Sequence, residues 1–277
     1  MSNILVVNGE SYWPAYFPGF EVHQKRLQSS RWLLRPDGLY VFDASGSLRV
    51  DGVLWRLGAV RPQPSHRAAI ELIRLSGVPS VNPARVLGRG YERLSMLAEL
   101  REAGVPLLPF SVALGEDVLE QVQPDFPAVL KAGNFHGGRG KARALNPEQW
   151  AELLDVLFIT EDYISIEPYI DYARDVRCLL IGEQMWAMER RAENWKVNAG
   201  LASHTLIEPP PLMAEHTRNA CKYLQGDVLA LDFLETRQGE FFALESNDIP
   251  GLSGFPEAAR HVLASLLRQK MEALSSG

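Results

Sequence analysis

Apolar positions along the chain follow two periods. Ile4 to Val7 is an unbroken apolar run ending at Asn8-Gly9, and it predicts a buried strand over 3–8. Runs at 50–57 (VDGVLWRL) and 78–82 (VPSVN) predict two more strands. Between them, Ala68, Ala69, Leu72 and Ile73 recur at helical spacing after Pro64, which predicts a helix over 64–75. Strands alternating with helices predict an open parallel sheet. Residues 1–82 therefore read as a small α/β domain.

The pattern then changes. A helix is expected over 91–103, ended by Gly104 and Pro106, followed by a strand at 107–112 and a helix at 115–122. Residues 126–131 and 141–145 read as strands. Asn146-Pro147 opens a further helix, with the asparagine as cap and the proline in the first turn. Four short strands are expected at 163–167, 174–181, 184–190 and 194–199, and then a helix at 212–224. The segments 228–235 and 240–246 read as a hairpin turning at Arg237–Glu240. A final helix over 256–274 is amphipathic through Ala259, Leu263, Leu266, Leu267, Met271 and Leu274. There is no internal repeat, low-complexity tract or long linker.

Composition narrows the class. Apolar residues make up 46% of the 277 positions and charged residues 22%, enough for a full core. No apolar run approaches the ~18 residues of a membrane span. The first residues lack a basic stretch ahead of the apolar run, so they do not read as a signal peptide. The net charge of −6 argues against broad nucleic-acid binding. Cys178 and Cys221 are too few for a disulfide framework or a zinc site. A soluble cytoplasmic protein is expected.

Two segments carry candidate chemistry. The first is VLKAGNFHGGRGK, residues 129–141. It is not a Walker loop: Phe135 stands where the first glycine belongs, and Ala142 follows Lys141 where a hydroxyl is needed. The segment joins two strands instead of opening a helix. Gly137, Gly138 and Gly140 still let backbone N–H groups approach an anion, and Lys131, Arg139 and Lys141 add positive charge. On the loop alone, a phosphate clamp and a basic surface hairpin explain it equally. The second segment is LDFLETRQGEFFALESNDIPGL, residues 231–252. The period of two sets Asp232, Glu245 and Asn247 on one face of the hairpin, three oxygen donors suited to a hard divalent ion. In isolation, solvated acids would explain these residues. Together the segments constrain each other. A carboxylate ~4 Å from a phosphate charge costs about 4 kcal/mol at an effective dielectric of ~20, unless a cation bridges the two. Magnesium-nucleotide chemistry removes the conflict.

At this point the sequence resembles the ATP-grasp superfamily, within it the synapsin ATP-binding domain, the RimK-type ribosomal-protein glutamate ligases and the lysine-biosynthesis ligases. The likeness runs from about residue 50 to the C-terminus. FPAVLKAGNFHGGRGKARA is similar to the synapsin strand–loop–strand, and ENWKVNAG also looks like synapsin. IEPYIDYARDVRCLLIGEQMWAM is similar to the hinge and following strands of these groups, and LDFL with LESNDIPGL to their magnesium segment.

The resemblance implies an α/β chain, α+β in its nucleotide-binding half: an ATP-grasp fold behind an N-terminal open parallel-sheet domain. The implied divisions are 1–82, 83–166 and 167–277. It implies that Lys131 contacts the α- and β-phosphates while His136, Gly137, Gly138 and Gly140 cover them. Glu167, Pro168, Tyr169 and Ile170 would meet the adenine at the hinge, and Asp175 the ribose. Arg177 and Arg190 would neutralise phosphate or a developing acyl-phosphate, and Asn198 would lie near the reacting phosphate. Asp232, Glu245 and Asn247 would hold Mg²⁺, with Mn²⁺ as a substitute. Arg93, in RGYERLSML, stands where the family usually has lysine; arginine keeps the charge and binds phosphate in a bidentate manner. The implied activity is a carboxylate–amine ligase using ATP. A non-catalytic ATP-binding module and a kinase on the same fold remain open. Small-molecule or peptide carboxylate and amine substrates are the expected partners, drawn to regions 10–20, 56–62 and 190–204, with Arg56 a candidate for a substrate carboxylate. No membrane partner is expected. A homodimer or homotetramer is common among relatives.

Overall fold

The computed structural model of the protein describes residues 2–58, 61–89, 91–115, 123–135, 138–160, 163–191, 195 and 203–275. His136, Gly137 and Asn198 lie outside the described residues, as do nearly all of the expected helix at 115–122 and strand at 194–199.

The chain begins with β1 (Asn3–Val7), which pairs in parallel with β2 (Glu21–Lys25). An antiparallel meander follows: β3 (Arg31–Arg35), β4 (Gly38–Asp43) and β5 (Gly46–Val50). The chain then returns through β6 (Gly52–Trp55) and β7 (Ser80–Val81) to complete a parallel sheet in the order β2-β1-β6-β7. Ile4 to Val7 and all of β6 are buried, as continuous apolar runs must be when both sheet faces are covered. The expected strand over 50–57 is broken at Asp51, whose carboxylate accepts the Asn3 N–H at 2.8 Å. Helix α1 (Pro64–Ser76) covers the sheet through Ala69, Ile70 and Ile73. Two further helices follow, α2 (Ala84–Arg89) and α3 (Arg93–Glu102).

The expected strand over 107–112 divides: Leu107 makes a lone bridge to Ala243, and β8 is Ser111–Ala113. Strands β9 (Ala128–Ala132) and β10 (Lys141–Ala144) form an antiparallel hairpin, so the glycine-rich segment does join two strands. Asn146 caps α4 (Pro147–Thr160), its Oδ1 accepting the Gln149 N–H at 2.9 Å. With β11 (Ile164–Pro168), these strands make a sheet in the order β10-β9-β11-β8, closed by Trp150 and Leu153 of α4.

The last part is an antiparallel sheet of β12 (Tyr172–Ile181), β13 (Gln184–Arg191), β14 (Ser203–Ile207), β15 (Val228–Thr236) and β16 (Phe241–Asn247), in the order β14-β13-β12-β15-β16. Helices α5 (Pro211–Leu224) and α6 (Glu257–Ser275) flank it. One face, through Val176, Cys178, Leu231 and Phe233, packs on α3 and α5. The other face, through Leu179, Ile181, Val228 and Ala230, packs on α6 together with Ile4 and Val6 of the parallel sheet. Helix α6 lies so close to β6 that a Cβ at Gly52 would meet Met271 Sδ at 2.5 Å. Trp13 and Phe17, in the stretch between β1 and β2, are buried in this same core.

Candidate nucleotide and metal site

The second face of the large sheet is apolar only where α6 and the parallel sheet cover it. Further along the same strands it becomes charged. Side chains two apart on a strand share a face, so Asp175 and Arg177 of β12 continue the line of Leu179 and Ile181. The pairing register then extends the line sideways. Arg190 of β13 lies opposite Asp175; Asp232 of β15 lies opposite Arg177; Glu245 of β16 lies opposite Asp232; and Asn247 lies opposite Ala230. The sequence thus gathers a row of charged residues across four strands.

Ion pairs lock this row. Arg177 Nε and Nη2 donate to the two Asp232 oxygens at 2.6 and 2.7 Å. Arg190 Nε donates to Asp175 Oδ1 at 2.6 Å and its Nη1 to Asp232 Oδ2 at 3.3 Å. Burial would raise both carboxylic acids. For Asp232 the two arginines overcome it, and its pKa lies well below the usual carboxylate range. For Asp175 burial prevails over Arg190, and its carboxyl is pushed up to about 6. Glu245 acts on Arg177 as a nearby negative charge, so it belongs to the same cluster.

The facing sheet supplies the other wall. Lys131 in β9 is 4% exposed, and its Nζ donates to both Glu167 oxygens at 2.5 Å. Burial lowers the Lys131 pKa to about 8; Glu167 opposes that shift, and the nearby Arg93 charge adds to it. Arg93 is itself buried, and its Nε and Nη1 have no hydrogen-bond partner among the described residues. Glu167 matches Lys131, and Arg93 adds a second buried cation near enough to act on the lysine. This is the condition in which a phosphate group is stabilised. A narrow slot runs between the two sheets, lined by Val129, Lys131, Lys141, Glu167 to Ile170, Tyr172, Asp175, Trp195 and Leu234. Val129 and Leu234 give it apolar walls beside the lysine, and residues 168–170 line its edge. The N–H of Tyr169 is occupied, donating to Pro127 O at 3.0 Å.

Among the described residues there is no group of three or more His, Cys, Asp or Glu side chains able to hold a metal. Asp232, Glu245 and Asn247 instead offer two carboxylates and an amide, an all-oxygen set that suits Mg²⁺. Asn247 Nδ2 is buried without a partner. Turning that amide over would present its oxygen at the same point. The residues therefore fit the ion.

The structure brings Lys131, Glu167, Pro168, Tyr169, Ile170 and Asp175 around one slot. Asp175, Arg177, Arg190, Asp232 and Glu245 share the charged row, beside Asn247. At Gly138 and Gly140 the backbone is left-handed, with φ of 75° and 62°, and a Cβ at Gly140 would strike the Phe135 ring at 2.6 Å. Sequence reasoning missed Asn134. Its Oδ1 accepts the Arg93 N–H at 2.8 Å and the Tyr163 hydroxyl at 2.7 Å, tying the glycine loop to the helix that carries Arg93. An asparagine beside glycine in a loop was the available signal.

Comparison with known proteins identifies the family and the fold. The family described as Synapsin, ATP binding domain, matches residues 115–273. The chain is 24% identical to the glutamate--LysW ligase ArgX of Sulfurisphaera tokodaii over 226 residues, covering 75% of this chain and 78% of that one. It is 30% identical to the synapsin of Drosophila melanogaster over 169 residues, 56% of this chain but only 16% of that much longer one. The crystal structure of D-alanyl-alanine synthetase A from Vibrio cholerae superposes with a TM-score of 0.77 over 98% of both chains at 13% identity, a likeness of fold. The chain belongs to the family of the synapsin ATP-binding domain, and through it to the ATP-grasp superfamily.

Proposed function

We propose that the protein is an ATP-grasp ligase that joins a carboxylate to an amine through an acyl-phosphate. One observation carries this reading: Lys131 and Asp175 line the same slot, so the buried lysine of one sheet opens onto the charged row of the other. Relatives named as a ligase and a synthetase are in line with it.

In this reading Lys131 and Arg93 hold the phosphates, and the glycine loop, with His136, Gly137, Gly138 and Gly140, covers them. Residues 167–170 receive the adenine. Asp232, Glu245 and Asn247 hold Mg²⁺, which when bound would offset the charge of the phosphate oxygens. Arg190, fixed between Asp175 and Asp232, directs a guanidinium at the transferred group; the role of Asn198 beside the reacting phosphate is carried over from the resemblance alone. The carboxylate oxygen attacks the γ-phosphorus, giving an acyl-phosphate and ADP. The amine nitrogen then attacks the acyl carbon, the carbon–oxygen bond to phosphate breaks, and the nitrogen gives up a proton as the amide forms. The protein contributes positioning and charge neutralisation. We retain the division at 1–82, 83–166 and 167–277 and a cytoplasmic setting as part of this reading.

The test is phosphate release from Mg-ATP over a matrix of acids and amines. A ligase releases phosphate only when both partners are present. A phosphorylated product from one acceptor would mean a kinase, and tight Mg-ATP binding without release under any pair would mean a binding module; either result overturns the proposal.

A further inference from the structure

The antiparallel meander β3–β5 has two unlike faces, because alternate residues of a strand point to opposite sides. One set, Leu39, Val41, Leu48 and Val50, is buried in one core with Leu5, Val7 and Ile70. The other set faces solvent. Pairing aligns Arg31 with Phe42 and Ser47, Leu33 with Tyr40 and Arg49, and Arg35 with Gly38. Arg31, Arg35 and Arg49 are exposed, and Leu33, Tyr40 and Phe42 are half-buried among them. This is a basic and aromatic surface on a chain whose net charge is −6.

The rings order the arginines. The Arg31 guanidinium lies over the Phe42 ring at 5.6 Å, and that of Arg35 over the Tyr40 ring at 5.1 Å. Arg49 leans over Gly38, where a Cβ would meet its Nε at 3.2 Å. None of the three arginines forms an ion pair among the described residues. Of the nearby acids, Asp43 is held by Lys25 at 2.7 Å and accepts the Ser45 N–H at 2.8 Å. Asp37, in the turn from β3 to β4, accepts the Tyr40 hydroxyl at 2.7 Å. That bond lowers the Asp37 pKa most, and the charges of Arg35 and Arg49 lower it further. Asp37 thus offsets part of the charge, and the face keeps a positive excess.

This geometry selects a partner. A guanidinium stacked on a ring keeps its N–H edge open and can donate two bonds to one carboxylate. The guanidiniums also occupy the ring faces on which a nucleobase would have to stack. Arg31 and Arg35 are four residues apart on one strand, about 13 Å, which is also the spacing of two carboxylates four residues apart on an extended peptide. Arginine and tyrosine side by side are the residues that protein interfaces favour.

We propose that the outer face of the β3–β5 meander binds an extended, acidic segment of a partner polypeptide, with its carboxylates at Arg31, Arg35 and Arg49. Strand β3 follows closely on Gln28, which lines a cleft at the carboxyl ends of β1 and β6, so the bound segment has one end near that cleft. The proposal stands apart from the ligase reading, because docking is read by binding alone.

The probe is a fluorescein-labelled decapeptide of alternating glutamate and serine, compared with its glutamine counterpart by fluorescence anisotropy. The acidic peptide is expected to bind at least about tenfold more tightly, with the difference shrinking as salt is added. Arg31→Gln, Arg35→Gln and Arg49→Gln should each weaken it about threefold, and the triple variant should bind both peptides alike. Mg-ATP affinity should stay at the parent's value, because none of the three lines the nucleotide slot. Arg101→Gln, exposed on α3, controls for net charge and should change nothing. Equal binding of the two peptides, no binding of either, an undiminished preference in the triple variant, or an equal loss in Arg101→Gln would overturn the proposal. A thymidine decanucleotide that binds as tightly as the acidic peptide, and is released by the triple variant, would make this a nucleic-acid surface. Self-association in sedimentation that the triple variant abolishes would make it a contact between copies. Either result overturns the proposal as well.

Discussion

Lys131 is buried against the Glu167 carboxylate with the Arg93 charge nearby, and the protonation of the lysine is open to measurement. A lysine whose folded pKa falls to about 8 from its ordinary 10.5 binds fewer protons folded than unfolded between those values. Its burial cost is fully present below about pH 8, and stability rises with pH through that window. Nucleotide binding runs the other way, because phosphate attracts only the charged form. Mg-ATP affinity should be level below about pH 8 and fall by up to tenfold per unit above it. Lys131→Arg should remove the slope; titration calorimetry at several pH values reads both. Arg93 gives an independent prediction. Its Nε and Nη1 are buried without partners. Arg93→Met should raise the thermal midpoint of the nucleotide-free protein, by the equivalent of about 1 kcal/mol, and weaken Mg-ATP binding at least tenfold. A lower midpoint with unchanged binding would make Arg93 a structural residue. Lys131 was legible in the sequence as positive charge near a glycine loop, and Arg93 only through the family resemblance. Glu167 as the lysine's partner was not, because the β9–β11 pairing that brings them together joins residues 36 apart.

At the scale of elements, the site is a consequence of register. Alternation within β15 and β16 was visible in the sequence, and it correctly set Asp232 and Glu245 on one face. The arginines across the row depend on pairings between β12, β13 and β15, which no local pattern encodes. The meander β3–β5 went unread for a different reason. Pro36-Asp37-Gly38 is a turn signal, but the flanking RWLLR and GLYVFD were short and mixed in polarity. The row separates two carboxylates that the trio treats alike. Asp232 is 0% exposed and pairs with Arg177 and Arg190, so Asp232→Asn leaves two buried guanidiniums short of charge. It should cost about 3–5 kcal/mol of stability as well as activity. Glu245 is only partly buried and makes no ion pair of its own among the described residues. Glu245→Gln should abolish turnover with a stability change under about 1 kcal/mol. Urea denaturation beside phosphate-release assays distinguishes the two, and ordinary turnover in Glu245→Gln would remove it from the metal set.

For the molecule as a whole, the question is what holds the parallel sheet against the large antiparallel one. Much of the contact is apolar: Ile4, Val6, Trp13 and Leu54 meet Leu179, Ile181 and the inner face of α6 in one core. Apolar burial is non-directional, so it permits sliding. Direction comes from Asn82, just after β7, which is 1% exposed. Its Nδ2 donates to Val228 O and Asp248 O, both at 2.6 Å. Its Oδ1 accepts the N–H groups of Asp227 and Val228 at 2.7 and 2.9 Å. One amide thus fixes the end of the parallel sheet to the start of β15 and to the loop after Asn247. Arg56 makes a second tie to that loop through Pro250 O. Asn82→Ala leaves these buried backbone groups unpaired and should lower stability by about 2–4 kcal/mol in urea denaturation. The functional effect should be selective. The nucleotide slot lies between the two antiparallel sheets and touches no residue of the parallel one. The cleft beside Asn247, by contrast, is lined by Leu57, His66 and Tyr91 from one side of the Asn82 joint and by Ser246, Asn247 and Asp248 from the other. In a folded Asn82→Ala protein, Mg-ATP affinity should stay within about twofold of the parent, while KM for the acid rises at least fivefold. Parallel losses in both constants would mean that the joint supports the whole fold and does not specifically align that cleft with the charged row.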